Sequence, residues 1–317
     1  MLAASGAEMR QRACYGETVS VLDALGSHGY VPAPGDLIRF SVGRPDRETF
    51  SMTAGDGSPV VVKVYTDLRG EVAFKNMTVL WHSSFGRDRR PPGLPRPIEY
   101  LPLPGGDRGA LVMERVEGRT LLELGTADEH LECAMRLAAD LHRSAVAAPR
   151  NRGAKKLVRS VQRKTERVMT LAPRFGPDLS RVAAALEASR PADAELVPCH
   201  GDFSPRNVLV GNARHTLIDW DRLQLADPAR DIAYFGTWCW VQALRSGVDD
   251  WRVLDRAVKI YRSLRPEVEL VSHLSFHVAA ALVRIAHGLV ELWPAEADIV
   301  PRITAEALRR LACESPY

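Results

Sequence analysis

The stretch Val60-Val61-Val62-Lys63-Val64-Tyr65 carries the strongest extended-strand signal in the chain. Its β-branched residues sit behind the turn-forming Ala54-Gly55-Asp56-Gly57-Ser58-Pro59. Residues 48–53 alternate weakly and predict its hairpin partner. Helical periodicity follows over 71–84, with Val72, Val79 and Leu80 on one side. Pro91, Pro92, Pro95, Pro97, Pro102 and Pro104 then predict loops, and a further strand follows over 110–116. Beyond Gly118 the period changes. Leu131, Ala134, Leu137, Ala138 and Leu141 form one apolar stripe over 127–147. Further helices are predicted at 155–171, 179–190, 230–246, 252–264, 270–292 and 302–312, interrupted by one strand pair over 207–219. The pattern predicts an α+β protein with a β-rich unit over 1–115 and a larger, mainly helical unit over 116–317.

Composition narrows the class. At 317 residues, 46% apolar and 26% charged, the chain has the profile of an ordinary globular protein with a sizeable core. A formal charge of +3 gives no argument for a nucleic-acid or membrane partner, and neither is expected. The five cysteines (Cys14, Cys133, Cys199, Cys239, Cys313) are scattered without a C-x-x-C pair. They suit free thiols in a reducing compartment better than a disulfide framework or a zinc site. The first twelve residues lack a basic flank followed by an apolar run, and the apolar stretch 278–293 is broken by Arg284 and His287. The resulting expectation is a cytoplasmic protein.

The chemistry concentrates between Cys199 and Asp221. Residues 207–210 and 215–219 read as two strand-like arms around the turn Gly211-Asn212-Ala213-Arg214. If Val210 faces His215, antiparallel counting sets Asn207 opposite Ile218, with Asp219 one step beyond; opposed Cβ atoms lie roughly 4.5–5.5 Å apart. An amide oxygen and a carboxylate then meet at the open end of the hairpin. Hard oxygen ligands of this kind suit Mg2+, which takes one or two carboxylates and completes its shell with water and substrate phosphates. Asp202, in the Gly- and Pro-containing loop just before, is placed to orient or deprotonate an attacking hydroxyl. One base and two metal ligands on a shared hairpin form a phosphoryl-transfer arrangement.

His200-Gly201-Asp202, Asn207 five residues after the aspartate, and Ile218-Asp219-Trp220-Asp221 together resemble the aminoglycoside phosphotransferase and choline kinase superfamily. Asp227-Pro228-Ala229-Arg230-Asp231-Ile232-Ala233 resembles the segment that follows in that family. The resemblance spans roughly 35–290 and is concentrated at 198–233. It implies a protein-kinase-like two-lobed fold, ATP and Mg2+ as cofactors, Asp202 as catalytic aspartate, and Asn207 and Asp219 as magnesium ligands. The residues by themselves give His200 a packing role, and Asp227, followed by Pro228, reads as a helix N-cap; Asp231 is also read as structural.

Lys63 lies mid-strand among valines, where a buried ammonium needs a partner. In the kinase template that partner is the α/β-phosphates plus a helix glutamate, and Glu71 is the only acidic residue on the next predicted helix. By the same resemblance, Met113, Glu114 and Val116 belong to a hinge whose backbone meets adenine, and Ser41–Arg47 falls where a phosphate-covering loop lies. Two positions depart from the pattern. Arg206 stands where many relatives have glycine, either near the transferring phosphate or facing solvent, and Ser204 stands where protein kinases carry lysine.

The partner implied is a small molecule that offers a hydroxyl. An amino-sugar or aminocyclitol antibiotic, or its precursor, is the leading reading, with choline, a sugar or homoserine as the second and a non-catalytic nucleotide-binding scaffold as the third. Asp221, Asp249, Asp250, Glu291, Glu296 and Asp298 are available for a cationic acceptor, and Trp238, Trp240 and Trp251 for stacking, unless these are ordinary surface charges and core rings. Against that, Arg152, Lys155, Lys156, Arg159, Arg163 and Lys164 crowd one helix, either as a solvated face or as an attraction for an anionic acceptor or, as a distant option, RNA.

Overall fold

In the computed structural model, which describes residues 21–32, 47–104, 107–192 and 194–312, the valine run is the third strand of a five-stranded antiparallel sheet. The strands are β1 (Val31–Pro32), β2 (Arg47–Thr53), β3 (Pro59–Tyr65), β4 (Pro97–Pro102) and β5 (Gly109–Glu114), in the order β1-β2-β3-β5-β4. Alternation along β3 buries Val60, Val62 and Val64 against Phe50, Met52, Ala110 and Val112, each burial stabilising by about 1.5–3 kcal/mol for a valine-sized side chain. Lys63 therefore sits on the other face, paired in register with Thr49 on β2 and Leu111 on β5.

The proline-rich stretch expected as loop contains β4. Pro97 and Pro102 are tolerated because β4 lies at the edge of the sheet, where a missing N–H costs no interior ladder bond, and the register shifts between Pro97 and Glu99. This sheet, the described residues up to Lys75 and Pro95–Arg115 make one compact unit; Asn76–Leu94 and the described residues from Val116 onward make the second. The helix α1 (Arg69–Trp81) runs through the first division point. Asn76–Leu94 is tied into the second unit by polar and aromatic contacts. Asn76 Nδ2 donates to Trp220 O at 2.8 Å, Leu217 N to Gly93 O at 2.8 Å, and Phe85 packs edge-on to Trp220 at 5.8 Å.

The second unit is built from α2 (Asp128–Arg143), α3 (Ala154–Leu171), α4 (Gly176–Ala188), α5 (Ala229–Arg245), α6 (Arg252–Leu264), α7 (Val271–Leu292) and α8 (Val300–Ala312). The apolar stripe expected on α2 is the buried one, Leu131, Ala134, Leu137, Ala138 and Leu141. Two short strand groupings replace the single pair expected. β6 (Arg119–Thr120) joins β8 (Val208–Val210) and β9 (His215–Leu217), while β7 (Val197–Cys199) pairs with β10 (Gln224–Ala226). The unexpected strands β6, β7 and β10 have two or three residues, too short to show a period of two, which is why pattern reading passes over them. By length and composition α7 alone among the described helices is apolar enough to cross a membrane, but 67% of its apolar window is buried inside the protein.

Candidate active site

The loop after β7 is held from below by one buried carboxylate. Asp231, 1% exposed on α5, accepts from His200 N at 2.7 Å and Gly201 N at 2.9 Å, and meets His142 Nε2 at 3.3 Å. His142 Nδ1 in turn meets the Tyr261 hydroxyl at 2.7 Å. Burial would raise the Asp231 carboxyl, but the hydrogen bond and charge of His142 hold it below the ordinary carboxylate range. Gly201 has φ +76°, and a Cβ there would stand 2.4 Å from Arg222 O, so the turn into Asp202 admits only glycine. His200 spends both ring nitrogens on backbone. Nε2 faces Ile218 O at 2.9 Å, and Nδ1 accepts from Asp202 N at 3.2 Å. The ring packs on Trp220 at 4.6 Å.

Asp227 caps the start of α5 by accepting from Ala229 N at 2.8 Å, and binds His273 Nδ1 at 2.7 Å. His142, Cys199 and Asp231 lie close enough together to suggest a metal site. Both Asp231 oxygens are already taken by amide donors, however, and burial drives the Cys199 thiol well above its ordinary range, so the trio acts as a structural network.

In the hairpin, Val210 pairs with His215 and Val208 with Leu217, the register obtained by antiparallel counting. Ile218 N donates to Asn207 O at 3.0 Å, which extends the ladder to the hairpin mouth. The Asn207 amide orientation is set by its nitrogen, which donates to Asp202 O at 2.8 Å and leaves Oδ1 as the atom available to a cation. Asp219 follows in the left-handed region (φ 68°, ψ 64°), the one non-glycine residue with positive φ among those described. Aspartate tolerates that conformation better than most residues, and strain of this kind persists where the surroundings impose it. A fixed amide oxygen and a carboxylate fit Mg2+, a hard cation that takes oxygen ligands.

The other flank of Asp202 is cationic. Arg284 on α7 donates to Gly201 O at 2.6 Å and to Asp202 Oδ1 at 2.5 Å, and its guanidinium lies 4.1 Å over the Tyr234 ring. Burial would raise the Asp202 carboxyl, but Arg284 and Arg222 together hold it below the usual range, so it is ionised at neutral pH. The sequence reading used Arg284 only as an interruption of an apolar stretch. The signal was there: a charge inside an otherwise buried helix needs a buried partner.

The remaining expected residues are in the first unit or beside the loop. Lys63 Nζ lies 5.1 Å from the Tyr65 ring centroid, and Glu71 meets Lys75 Nζ at 2.6 Å, one turn along α1. Met113 stands opposite Val61 and Pro97, and Glu114 N donates to Arg96 O at 2.9 Å. Residues 41–46 of the expected phosphate-covering loop lie outside the described residues, as do Cys14 and Cys313. Ser204 is fully buried, and the Arg206 guanidinium is turned onto the Trp238 ring at 5.2 Å. Trp240 and Trp251 stack on each other at 4.7 Å, the first buried and the second half-buried.

The profile of the phosphotransferase enzyme family matches residues 39–266. An aminoglycoside 3'-phosphotransferase of Streptomyces fradiae is 46% identical over 56 residues, 17% of this chain and 21% of that protein, so the match spans about a fifth of the curated relative's length. A solved structure of a thermostable mutant of aminoglycoside phosphotransferase APH(4)-Ia aligns with TM-score 0.63 at 14% identity, covering 87% of this chain and 94% of that one. A choline/ethanolamine kinase family protein from Mesorhizobium loti aligns with TM-score 0.57 at 17% identity, covering 88% and 92%. At these identities the structural likeness is one of fold, kinase-like, two-lobed and α+β.

Proposed function

We propose that this chain, which belongs to the phosphotransferase enzyme family, transfers the γ-phosphoryl group of ATP to a hydroxyl of a small molecule, with Mg2+ as cofactor. The observation that carries the reading is the mouth of the β8–β9 hairpin. There an Asn207 amide with its oxygen left available and the Asp219 carboxylate adjoin an ionised Asp202.

In this reading Asn207 Oδ1 and Asp219 hold the magnesium, and Asp202 is the catalytic group that orients the acceptor hydroxyl and receives its proton. Bound magnesium would neutralise phosphate charge. The acceptor oxygen forms a bond to the γ-phosphorus, the bond from that phosphorus to the β–γ bridging oxygen breaks, ADP leaves, and the proton passes through Asp202 to solvent. Lys63 contacts the α/β-phosphates. The backbone of Met113, Glu114 and Val116 meets the adenine edge, with Val116 N–H as the donor, because Glu114 N is already engaged by Arg96 O. Glu71 is the partner the kinase template gives to Lys63, and adopting that role requires it to leave Lys75.

Two of the compared proteins are named as aminoglycoside phosphotransferases, and an amino-sugar or aminocyclitol acceptor is the reading taken from them. Choline, a sugar or homoserine is the alternative within the same chemistry. A nucleotide-binding scaffold is disfavoured because Lys63, Asp202, Asn207 and Asp219 are all retained. ADP release measured with Mg-ATP against these acceptors, with product mass gaining one phosphate, tests the function. Asp202→Ala should reduce transfer at least about a hundredfold with nucleotide affinity kept. Near-normal transfer by that variant would remove the base assignment, and absence of ATP turnover with every acceptor would favour the scaffold.

A further inference from the structure

Beside the Asp202 loop, within the second unit, lies a cleft open to solvent. Arg150 and Arg152 line it from the segment before α3, Lys156 and Lys164 from α3 itself, and Arg222, Arg230 and Arg284 from the segments around the catalytic loop. Gly201, the residue before the proposed base, lines it too, as does Arg284, which bonds Asp202.

The cations outnumber the carboxylates they face. Among the described residues Arg284 alone of them makes a direct ion pair, with Asp202; Arg222 also faces Asp202 and Asp219, and Arg230 faces Asp231. Lys164 Nζ has the Ser160 hydroxyl at 3.0 Å, and Arg230 reaches only the Arg152 carbonyl at 3.4 Å. The one acidic residue lining the cleft is Asp231, whose oxygens are occupied by His200 N and Gly201 N. Lys164 is pushed down to about 8 by burial and by Arg284 and Arg222, the behaviour of an ammonium without a counter-ion. Gln224 adds a buried amide nitrogen with no partner, a further donor on the same wall. Guanidinium forks and ammonium groups around an otherwise open cleft match carboxylate and phosphate oxygens.

Four of the six acidic residues considered for a cationic acceptor are engaged elsewhere. Asp249 accepts from Trp240 Nε1 at 2.7 Å, Asp250 pairs with Arg252 at 2.7 Å, Glu291 with Arg167 at 3.4 Å, and Glu296 with Arg245. A polycationic amino sugar in this cleft would face like charges on most sides, which is a strong discrimination against it.

We propose that the acceptor phosphorylated at Asp202 is an anionic hydroxylated small molecule, a sugar phosphate or sugar acid, whose oxyanion is held in this cleft by Arg152, Lys156, Lys164, Arg222 and Arg230. The proposal rests on the phosphotransfer reading and selects within it. Inorganic phosphate is the probe, titrated calorimetrically at constant ionic strength into the full chain saturated with AMP-PNP and magnesium. It should bind once per chain, and the double variant Arg152→Glu/Lys156→Glu should weaken it at least tenfold, with AMP-PNP affinity reporting that the variant is folded. No phosphate binding, or equal affinity in both proteins, overturns the proposal.

In the ADP-release assay a sugar phosphate or sugar acid should exceed its uncharged parent at least tenfold in kcat/KM. Preferential turnover of aminoglycosides overturns the proposal, and where no sugar is turned over the phosphate titration decides. Failure of the wild-type chain to bind AMP-PNP would instead remove the kinase reading, with phosphate titrated into the nucleotide-free protein still judging the cleft.

Discussion

The two flanks of Asp202 make opposite demands. In the proposed reading Asn207 and Asp219 present oxygens to a cation on the hairpin flank, whereas on the other Arg284 from α7 and Arg222 from the turn after Asp219 present guanidinium groups that suit an anion. The first flank is assembled within seventeen residues of Asp202, by a short hairpin whose register leaves little freedom. The second is gathered from positions as far apart as Arg150 and Arg284. A site built locally fixes its chemistry through backbone geometry. A site built from distant helices has room to change which molecule it accepts while the chemistry stays.

The sharpest way to break the comparison is to remove charge from the hairpin flank without removing the turn. Asp219→Gly suits the left-handed backbone better than aspartate, and should raise stability by up to about 1 kcal/mol in a thermal melt. The same variant should lose at least about a hundredfold in Mg-ATP turnover. If turnover and magnesium dependence survive, Asp219 is in the left-handed region for the fold alone and the metal assignment fails.

The support beneath both flanks comes next in size. Asp231→Ala leaves two buried amide donors and His142 without their acceptor, at a cost of about 3 kcal/mol, or a fall of roughly 6–12 °C in Tm. The sign with pH follows from its depressed carboxyl. Asp231 contributes stability above the ordinary carboxylate range, and that contribution is lost as pH falls through the lower folded value. A melt showing less than about 2 °C of change would mean the loop is held by its glycine turn and not by this carboxylate.

The unequal assembly of the flanks also explains what was legible in the sequence. Val60, Val62 and Val64 announce β3 because alternation is written in consecutive residues, and His200-Gly201-Asp202 with Asn207 and Asp219 announces the hairpin because spacing is preserved in order. The β4 strand was hidden because its prolines are tolerated only at an edge, which is a fact about neighbours. Lys63 and Glu71 were joined by the kinase template, whereas the nearer Lys75, one helical turn away, meets Glu71 in the structure. The basic stretch around Lys156 was visible as charge, but its convergence with Arg222, Arg230 and Arg284 depends on tertiary packing that no local pattern encodes.

The coupling between the flanks can be sharpened through pH. Burial pushes the Asp202 carboxyl up and Arg284 is the first force pulling it down, so Arg284→Met should raise it. Activity and the stability contributed by this carboxylate are present above its folded value and are lost as pH falls through it. The acid limb of the kcat/KM profile should therefore shift to higher pH in the variant. An unmoved limb would mean that Arg222, or the acceptor itself, sets the ionisation of Asp202.

Arg206 offers the smallest and most discriminating measurement. It sits four residues after Asp202, where a cation could serve the transferring phosphate, yet its guanidinium is stacked on Trp238 and does not line the cleft. A cation–π contact of this kind is worth about 0.5–2 kcal/mol, so Arg206→Met should lower stability by about 1 kcal/mol in denaturant titration. Turnover should change less than about threefold, since a contact made equally in the free and working enzyme gives no transition-state stabilisation. A loss of two orders of magnitude in turnover with stability unchanged would show that Arg206 swings from Trp238 to the phosphate during the reaction. The cationic flank would then extend onto the catalytic loop itself, and the separation of metal side from anion side would no longer hold.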